Sequence, residues 1–387
     1  MRPTISLVLL IALVGCNALR GESGEATVTV DSTGAYPVIQ SAGAAPQWRA
    51  ELVTTIGADS AAEPAFGTVN SVLLDSAGDV YVLDPSFKQL SVFSPDGTLR
   101  GRLGRRGSGP GEYTLPYSIA WIGDSLAMMD PGNARVSLLG PDGKWVRQWV
   151  MERITGSNIV RFYRTPPHGF WTIATRRTNE GTLARLFVRY TSQGPSDTLV
   201  YFMHPQLFGG YARCDTPDGG FTSFEPPFGP LPLVIPNAAG EQVVAVSSGY
   251  RIAFVDRELD TVRVITRTVD AAPISDAEWA EASAEFIDWK RKNPAAHCNR
   301  DGWDRPATKP PLQWQFVDDE GQLWVEVLTR DGRVYDVFGP DGALRGTVTG
   351  LPSVGGVDPS VVNGRIALVA KDSLDVQVVQ VFRIRKP

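Results

Sequence analysis

Histidine and cysteine are scarce in this chain, three of each among 387 residues. His168, His204 and His297 form no His-x-x-x-His pair, Cys16, Cys214 and Cys298 form no Cys-x-x-Cys, and no EF-hand loop is present. The spacings that usually close a zinc or calcium site are therefore missing. A Gly-x-Ser-x-Gly elbow is also missing, and no His is placed to activate a Ser, so nucleophilic catalysis lacks its parts. Beyond residue 14 no segment approaches the roughly 18 uninterrupted apolar residues that a membrane helix needs. Positive charge is not in excess either. The formal net charge is −5, which gives no electrostatic reason to seek nucleic acid. The single basic cluster, Arg100, Arg102, Arg105 and Arg106, reads as a solvated turn and strand edge, with a phosphate site as the alternative.

Turn formers are abundant: 39 Gly and 29 Pro, beside a hydrophobic content of 43% that is ample for a core and excludes disorder. The N-terminus reads as an address. Arg2 precedes an apolar run from Ile5 to Val14, the length of a signal-peptide core and too short to span a bilayer. It closes on Leu13-Val14-Gly15-Cys16, which resembles the bacterial lipobox, where cleavage before the Cys leaves a lipid-bearing sulfur; the competing reading is an ordinary secretory signal with an incidental Cys. Removal of residues 1–15 leaves 36 basic against 42 acidic residues, a net charge of −6. Residues 16–46, with little apolar periodicity, are expected to be a flexible tether, in which Thr27 to Val30 adds at most one short strand.

The folded part, residues 47–387, repeats itself. Asp84 leads through a turn and an apolar strand to Pro95-Asp96-Gly97, and Asp130 leads at the same spacing to Pro141-Asp142-Gly143; Pro340-Asp341-Gly342 repeats the ending. A period of about 45 residues carried by short strands and turn dipeptides is the signature of a β-propeller. Six units with period-2 alternation follow: residues 70–103, 117–150, 158–203, 231–269, 312–348 and 357–384. The sixth is one strand short. Residues 51–57 match residues 98–104, so an N-terminal strand is expected to complete the last unit and close the ring. The expected fold is all-β, a six-bladed β-propeller with that closing strand and one short helical insertion.

Gly107-Ser108-Gly109-Pro110-Gly111-Glu112-Tyr113, then Pro116, Asp130-Pro131-Gly132-Asn133-Ala134-Arg135-Val136 and Pro141-Asp142-Gly143, resemble the NHL repeat of six-bladed propellers. The resemblance is clear in the first, second and fifth units and covers about half of the chain. It implies a propeller strongly and a function weakly, since such propellers include binding scaffolds, lyases and hydrolases. Hydrolases resembling gluconolactonases place acidic residues around calcium at the starts of the inner strands. The corresponding positions here include Asn70, Tyr117, Asn158 and Gln313, none acidic, although Asp358 keeps a calcium site open. The glycines at 104, 107, 109 and 111 are followed by Pro116 and a strand rather than a helix, so they read as a turn and not as a phosphate cradle.

Two insertions depart from the repeat, at about residues 204–230 and 273–311. The first is rich in aromatics, Phe221 and Phe224 among them. The second opens with a capping box, Ser275 to Glu278, on a helix to about Asn293 whose stripe carries Trp279, Ala282, Phe286 and Trp289. Both follow an outer strand and precede an inner one, which puts them on one face. Cys214 and Cys298, one in each, are expected to pair in an oxidising compartment; free thiols, or a zinc site shared with His204 and His297, are the alternatives. A ligand is expected at the channel entrance and on this face, at Asn70, Tyr117, Asn158, Gln313, Trp314, Phe221 and Phe224. The function expected is a monomeric binding or scaffold module for a protein, peptide or glycan, in the cell envelope, bound to the membrane only through Cys16, with no cofactor, metal or catalytic residue. A propeller hydrolase or lyase with a channel metal is the alternative.

Overall fold

The computed structural model describes residues 27–43, 45–57, 66–151, 161–165, 169–177, 183–202 and 210–387. Residues 1–15, expected to be a signal peptide, Cys16 and Asn158, together with His168 and His204, lie outside the described residues.

The chain is mostly β, with one α-helix among the described residues. Its basic unit is a four-stranded antiparallel meander. In the first, Ser71–Leu74, Val80–Asp84, Gln89–Phe93 and Leu99–Leu103 lie side by side in chain order. The same order recurs in Ser118–Ile122 to Trp145–Val150, Phe162–Arg164 to Gly194–Val200, Pro232–Pro236 to Thr261–Arg267, and Leu312–Val317 to Leu344–Thr349. The last run, Ser360–Val362, Arg365–Lys371 and Gln377–Arg385, has three strands of its own. Gln47–Ile56 lies antiparallel on the third of these, from Arg49 opposite Arg385 to Ile56 opposite Val379. Its first residues also pair in parallel with the outer strand of the preceding unit, Thr347 opposite Gln47 and Thr349 opposite Arg49. One ten-residue strand, starting four residues earlier than the repeat suggests, thus merges two units into an eight-stranded sheet.

The core lies between sheets. Separate apolar clusters join the first unit to the second around Leu83 and Met128, the second to the third around Val136 and Phe170, and the third, fourth and fifth around Trp171, Ile252 and Phe338. Others join the fifth to the last around Trp324 and Ile366, and the last back to the first around Val379 and Val72. Each sheet buries both faces against its neighbours, which is how a β-propeller satisfies sheets that would otherwise leave an apolar face in water.

The repeated residues do the same work in each copy. Asp84 and Asp130 are buried and begin a short 3-10 turn with Pro in its first turn and a left-handed residue at its end, Lys88 or Ala134. The Asp130 carboxylate accepts from the backbone N–H of Thr114 at 3.1 Å and Leu115 at 2.8 Å and from Asn133 Nδ2 at 2.6 Å, fixing the segment that leads into the first strand of its unit. Asp84 accepts from the N–H groups of Gly67 and Ser86 in the same way. The Pro-Asp-Gly endings are bulged hairpin turns in which Gly97, Gly143 and Gly342 have φ of 90°, 72° and 83°, a region closed to most L-residues. The Gly-rich loop after Gly104 is also structural. Its carbonyls at Ser108, Gly109 and Glu112 point at the buried Arg135 guanidinium, so it offers acceptors to a cation rather than N–H groups to a phosphate.

The stretch expected to be tether needs correction. Thr27–Asp31 and Val38–Ala42 form a hairpin, and the second strand lies parallel to Thr261–Arg267 with Val38 opposite Val264. The fourth unit is therefore six strands wide.

Replacing Asp130 by Ala removes the buried, charged acceptor of the Thr114 and Leu115 N–H groups, for which about 2 kcal/mol of stability is expected to be lost. Denaturant unfolding should show this loss, whereas Asp142→Ala, at an exposed turn, should leave the midpoint unchanged; equal effects would contradict the assignment.

Candidate functional site

The first strands of the units run side by side, tied by serine hydroxyls. Ser71 Oγ accepts from the N–H of Ile119 at 3.3 Å, Ser118 Oγ from that of Phe162 at 3.0 Å, and Ser360 Oγ from that of Leu74 at 2.9 Å. Where these strands begin, they surround a cavity of about 350 Å³. Of the expected residues, Asn70, Tyr117 and Trp314 line it. Gln313 does not. A bulge between Leu312 and Trp314 shifts the strand, Gln313 donates to the Pro310 carbonyl at 2.6 Å, and Gln315 lines the cavity instead.

Two arginines occupy this space. Arg161 lies with its guanidinium carbon 4.5 Å from the Tyr163 ring centre and 4.8 Å from that of Trp314, a cation–π contact with each. Its Nη1 donates to Asp358 Oδ1 at 3.1 Å, and Trp314 Nε1 donates to the same oxygen at 2.8 Å. Arg161 Nε is buried with no acceptor. Arg164 crosses the channel: Nη1 donates to the Val72 carbonyl at 3.0 Å and Nη2 to the Asp358 carbonyl. Burial pushes its pKa down to about 10, Asp358 opposing and Arg161 adding to the fall, so it is cationic at neutral pH. For Arg161, burial is the largest single influence and works against the charge, but Asp358 together with Tyr163 and Tyr201 outweighs it and holds the pKa above the ordinary arginine value. Asp358, the residue that kept a calcium site open, is engaged by Arg161 and Trp314.

The two arginines do not stand out in the sequence because the third repeat is faint and its expected frame starts at Asn158. Arg161 stands immediately before the strand Phe162–Arg164 as Asn70 and Tyr117 stand before theirs. Counting back from Phe162 rather than from Asn158 would have placed it at the entrance.

Arg164 also borders a second cavity, of about 450 Å³, at the other end of the channel. Asp318 on its wall has its pKa pushed up to about 6 by burial, against hydrogen bonds from Trp324 Nε1 and the N–H groups of Gln322 and Glu320. Those three donors are on its own turn and strand, so Asp318 holds the turn.

The insertions meet each other. Ala212–Asp215, Phe221–Phe224 and His297–Cys298 form a three-stranded sheet, and Cys214 pairs opposite Cys298, to which it is disulfide-bonded. The helix Asp276–Lys292 carries the capping box at Ser275 and Glu278. It packs Phe286 and Trp289 against Phe224, with ring centres 5.2 and 5.4 Å apart. Two expectations fail here. Ala282 is exposed, and Ser283 takes the buried place on the helix. Phe224 is buried at 7% exposure as part of this small core, so it is not free for a ligand. Phe221 is 60% exposed beneath the Arg213 guanidinium, 4.1 Å away, and lies outside the channel cavity. Among the described residues none from either insertion lines that cavity.

No family model and no curated protein sequence matches the chain. Similar solved structures include a DUF4221 family member from Bacteroides vulgatus (10% identity, 95% of this chain and 100% of that one, TM-score 0.43). A protein described as exported from Bacteroides fragilis (13%, 88% and 99%, 0.41) and a streptogramin B lyase (8%, 88% and 98%, 0.40) are further examples. All fall below a TM-score of 0.5, so the fold assignment stands on the strand order and register above.

Truncating Phe224 to Ala should loosen the insertion module by about 3 kcal/mol, the usual cost of emptying an aromatic core position. Hydrogen exchange should then quicken in Asp276–Lys292 and leave the sheets unchanged, while Phe221→Ala should alter neither. Faster exchange throughout the sheets would show that the module is part of the main core.

Proposed function

We propose that the chain is a six-bladed, NHL-like propeller, lipid-anchored in the bacterial envelope through Cys16, that binds a peptide, protein or glycan segment at the channel mouth. The anchor reading rests on the apolar run that ends at Leu13-Val14-Gly15-Cys16. In support of six blades, the six strand runs each pack on the next, and Gln47–Ile56 supplies the fourth strand of the last.

The observation that carries the binding reading is the mouth cavity. It combines aromatic walls, Trp314, Tyr163 and Tyr117, with fixed polar groups such as Asn70, Gln315 and Arg161. A pocket with aromatic surface and a few placed polar groups is a recognition site. The metal hydrolase reading fares worse, because two guanidinium groups stand where a divalent cation would sit and repel it. Among the described residues, no three His, Cys, Asp or Glu side chains converge.

Peptide and glycan arrays probed with the intact soluble domain test this. Trp314→Ala should reduce the signal of any hit at least about tenfold, the size expected for a contact at the centre of a binding site. Loss on Phe221→Ala as well would extend the ligand onto the insertion module. Hits unaffected by Trp314→Ala would place binding elsewhere and overturn the assignment.

A further inference from the structure

The mouth cavity is unbalanced in charge. Arg161 and Arg164 each bring a positive charge that arginine keeps at any physiological pH. Among the described residues lining the cavity, Asp358 is the one carboxylate. Its side chain meets Arg161 alone of the two; Arg164 spends its donors on the Val72 and Asp358 carbonyls, which hydrogen-bond the guanidinium without neutralising it. A charge held away from water and only partly neutralised is costly, and such a group in a cleft marks a candidate site for a partner of opposite sign.

Geometry singles out where that partner docks. Asp358 is reached by Arg161 Nη1, whereas Nε is buried and has no acceptor. Nε and Nη2 form the edge of a guanidinium that takes a carboxylate with two parallel hydrogen bonds. The rings of Tyr163 and Trp314 and the Asp358 carboxylate all contact the guanidinium, which restricts its position. The surplus is one charge and the remaining walls include Leu233 and Val357. A monoanion with an apolar or sugar-like body fits that balance better than a phosphate dianion, which would exceed the surplus.

Building on the channel-mouth reading above, we infer that this cavity recognises an organic carboxylate, seated on the Nε–Nη2 edge of Arg161. The carboxylate belongs to a small acid, to a peptide terminus or acidic side chain, or to a uronic sugar.

The test uses the whole soluble domain and four probes at constant ionic strength: 3-phenylpropionate, N-acetylglycine, glucuronate and, as neutral control, 3-phenylpropionamide. Binding is read by tryptophan emission, since Trp314 touches Arg161, and by the shift in melting temperature. At least one carboxylate should bind saturably and the amide at least tenfold more weakly, and which carboxylate binds distinguishes the three sources. Arg161→Gln should weaken the binding at least tenfold. Asp358→Asn, which removes the competing negative charge and leaves the fork in place, should strengthen it, so a folding defect in the first variant does not leave the inference untested. No saturable response to any carboxylate, equal binding of the amide, or weaker binding in Asp358→Asn would overturn it. If carboxylates fail while neutral array hits still depend on Trp314, the mouth remains a binding site and only its anionic character falls.

Discussion

The pairing of Gln47–Ile56 with two neighbours is the constraint on which the remainder of the structure depends. A run of antiparallel sheets packed face to face has two ends, and each end exposes a backbone edge and an apolar face. This strand joins the chain's beginning to its end by pairing with Gln377–Arg385, and its first residues pair with Leu344–Thr349. Ile56 then packs in the cluster that joins the last unit to the first, with Val72, Val369 and Val379. Some 300 residues of sequence separate these partners, so the contact is expected to form late in folding, after the local meanders exist.

What the arrangement produces is a set of first strands converging on an axis, and the chemistry follows from what stands at their starts. Small polar residues, Ser71, Ser118 and Ser360, tie adjacent strands and keep the spacing uniform. Large residues then fill the axis. Arg164 spans it by binding carbonyls on two units, and Arg161 contacts two aromatic rings next to Asp358. The same packing that makes the propeller rigid therefore holds a cationic, aromatic-walled cavity in fixed geometry. Pre-organisation of that kind lowers the entropy a ligand must sacrifice on binding.

The turns were the most legible part of the sequence, because their chemistry is local. Pro-Asp-Gly demands a left-handed Gly, the Ser275 to Glu278 spacing demands a helix start, and all are present. The Cys214–Cys298 disulfide was legible from its placement, one Cys in each insertion, given the expectation of an oxidising compartment. Other features depend on frame or parity. The Asn158 frame hid Arg161 by three residues. Phe221 and Phe224 differ by an odd number of positions in one strand, so they face opposite ways, and only one could be exposed. The hairpin within residues 27–42 was hidden by its Ser, Thr and Gly content, since its second strand is stabilised by pairing with Thr261–Arg267 rather than by its own apolar pattern.

Amide hydrogen exchange along Gln377–Arg385, compared between the intact chain and one lacking residues 1–57, tests the central claim most directly. If Gln47–Ile56 is the strand that completes the last sheet, these amides are strongly protected in the intact protein. They should exchange about 100-fold faster once the strand is gone, since an edge left unpaired opens locally at little cost. Protection unchanged by the truncation would contradict the account, for the sheet would then be completed and the ring held by something other than this strand.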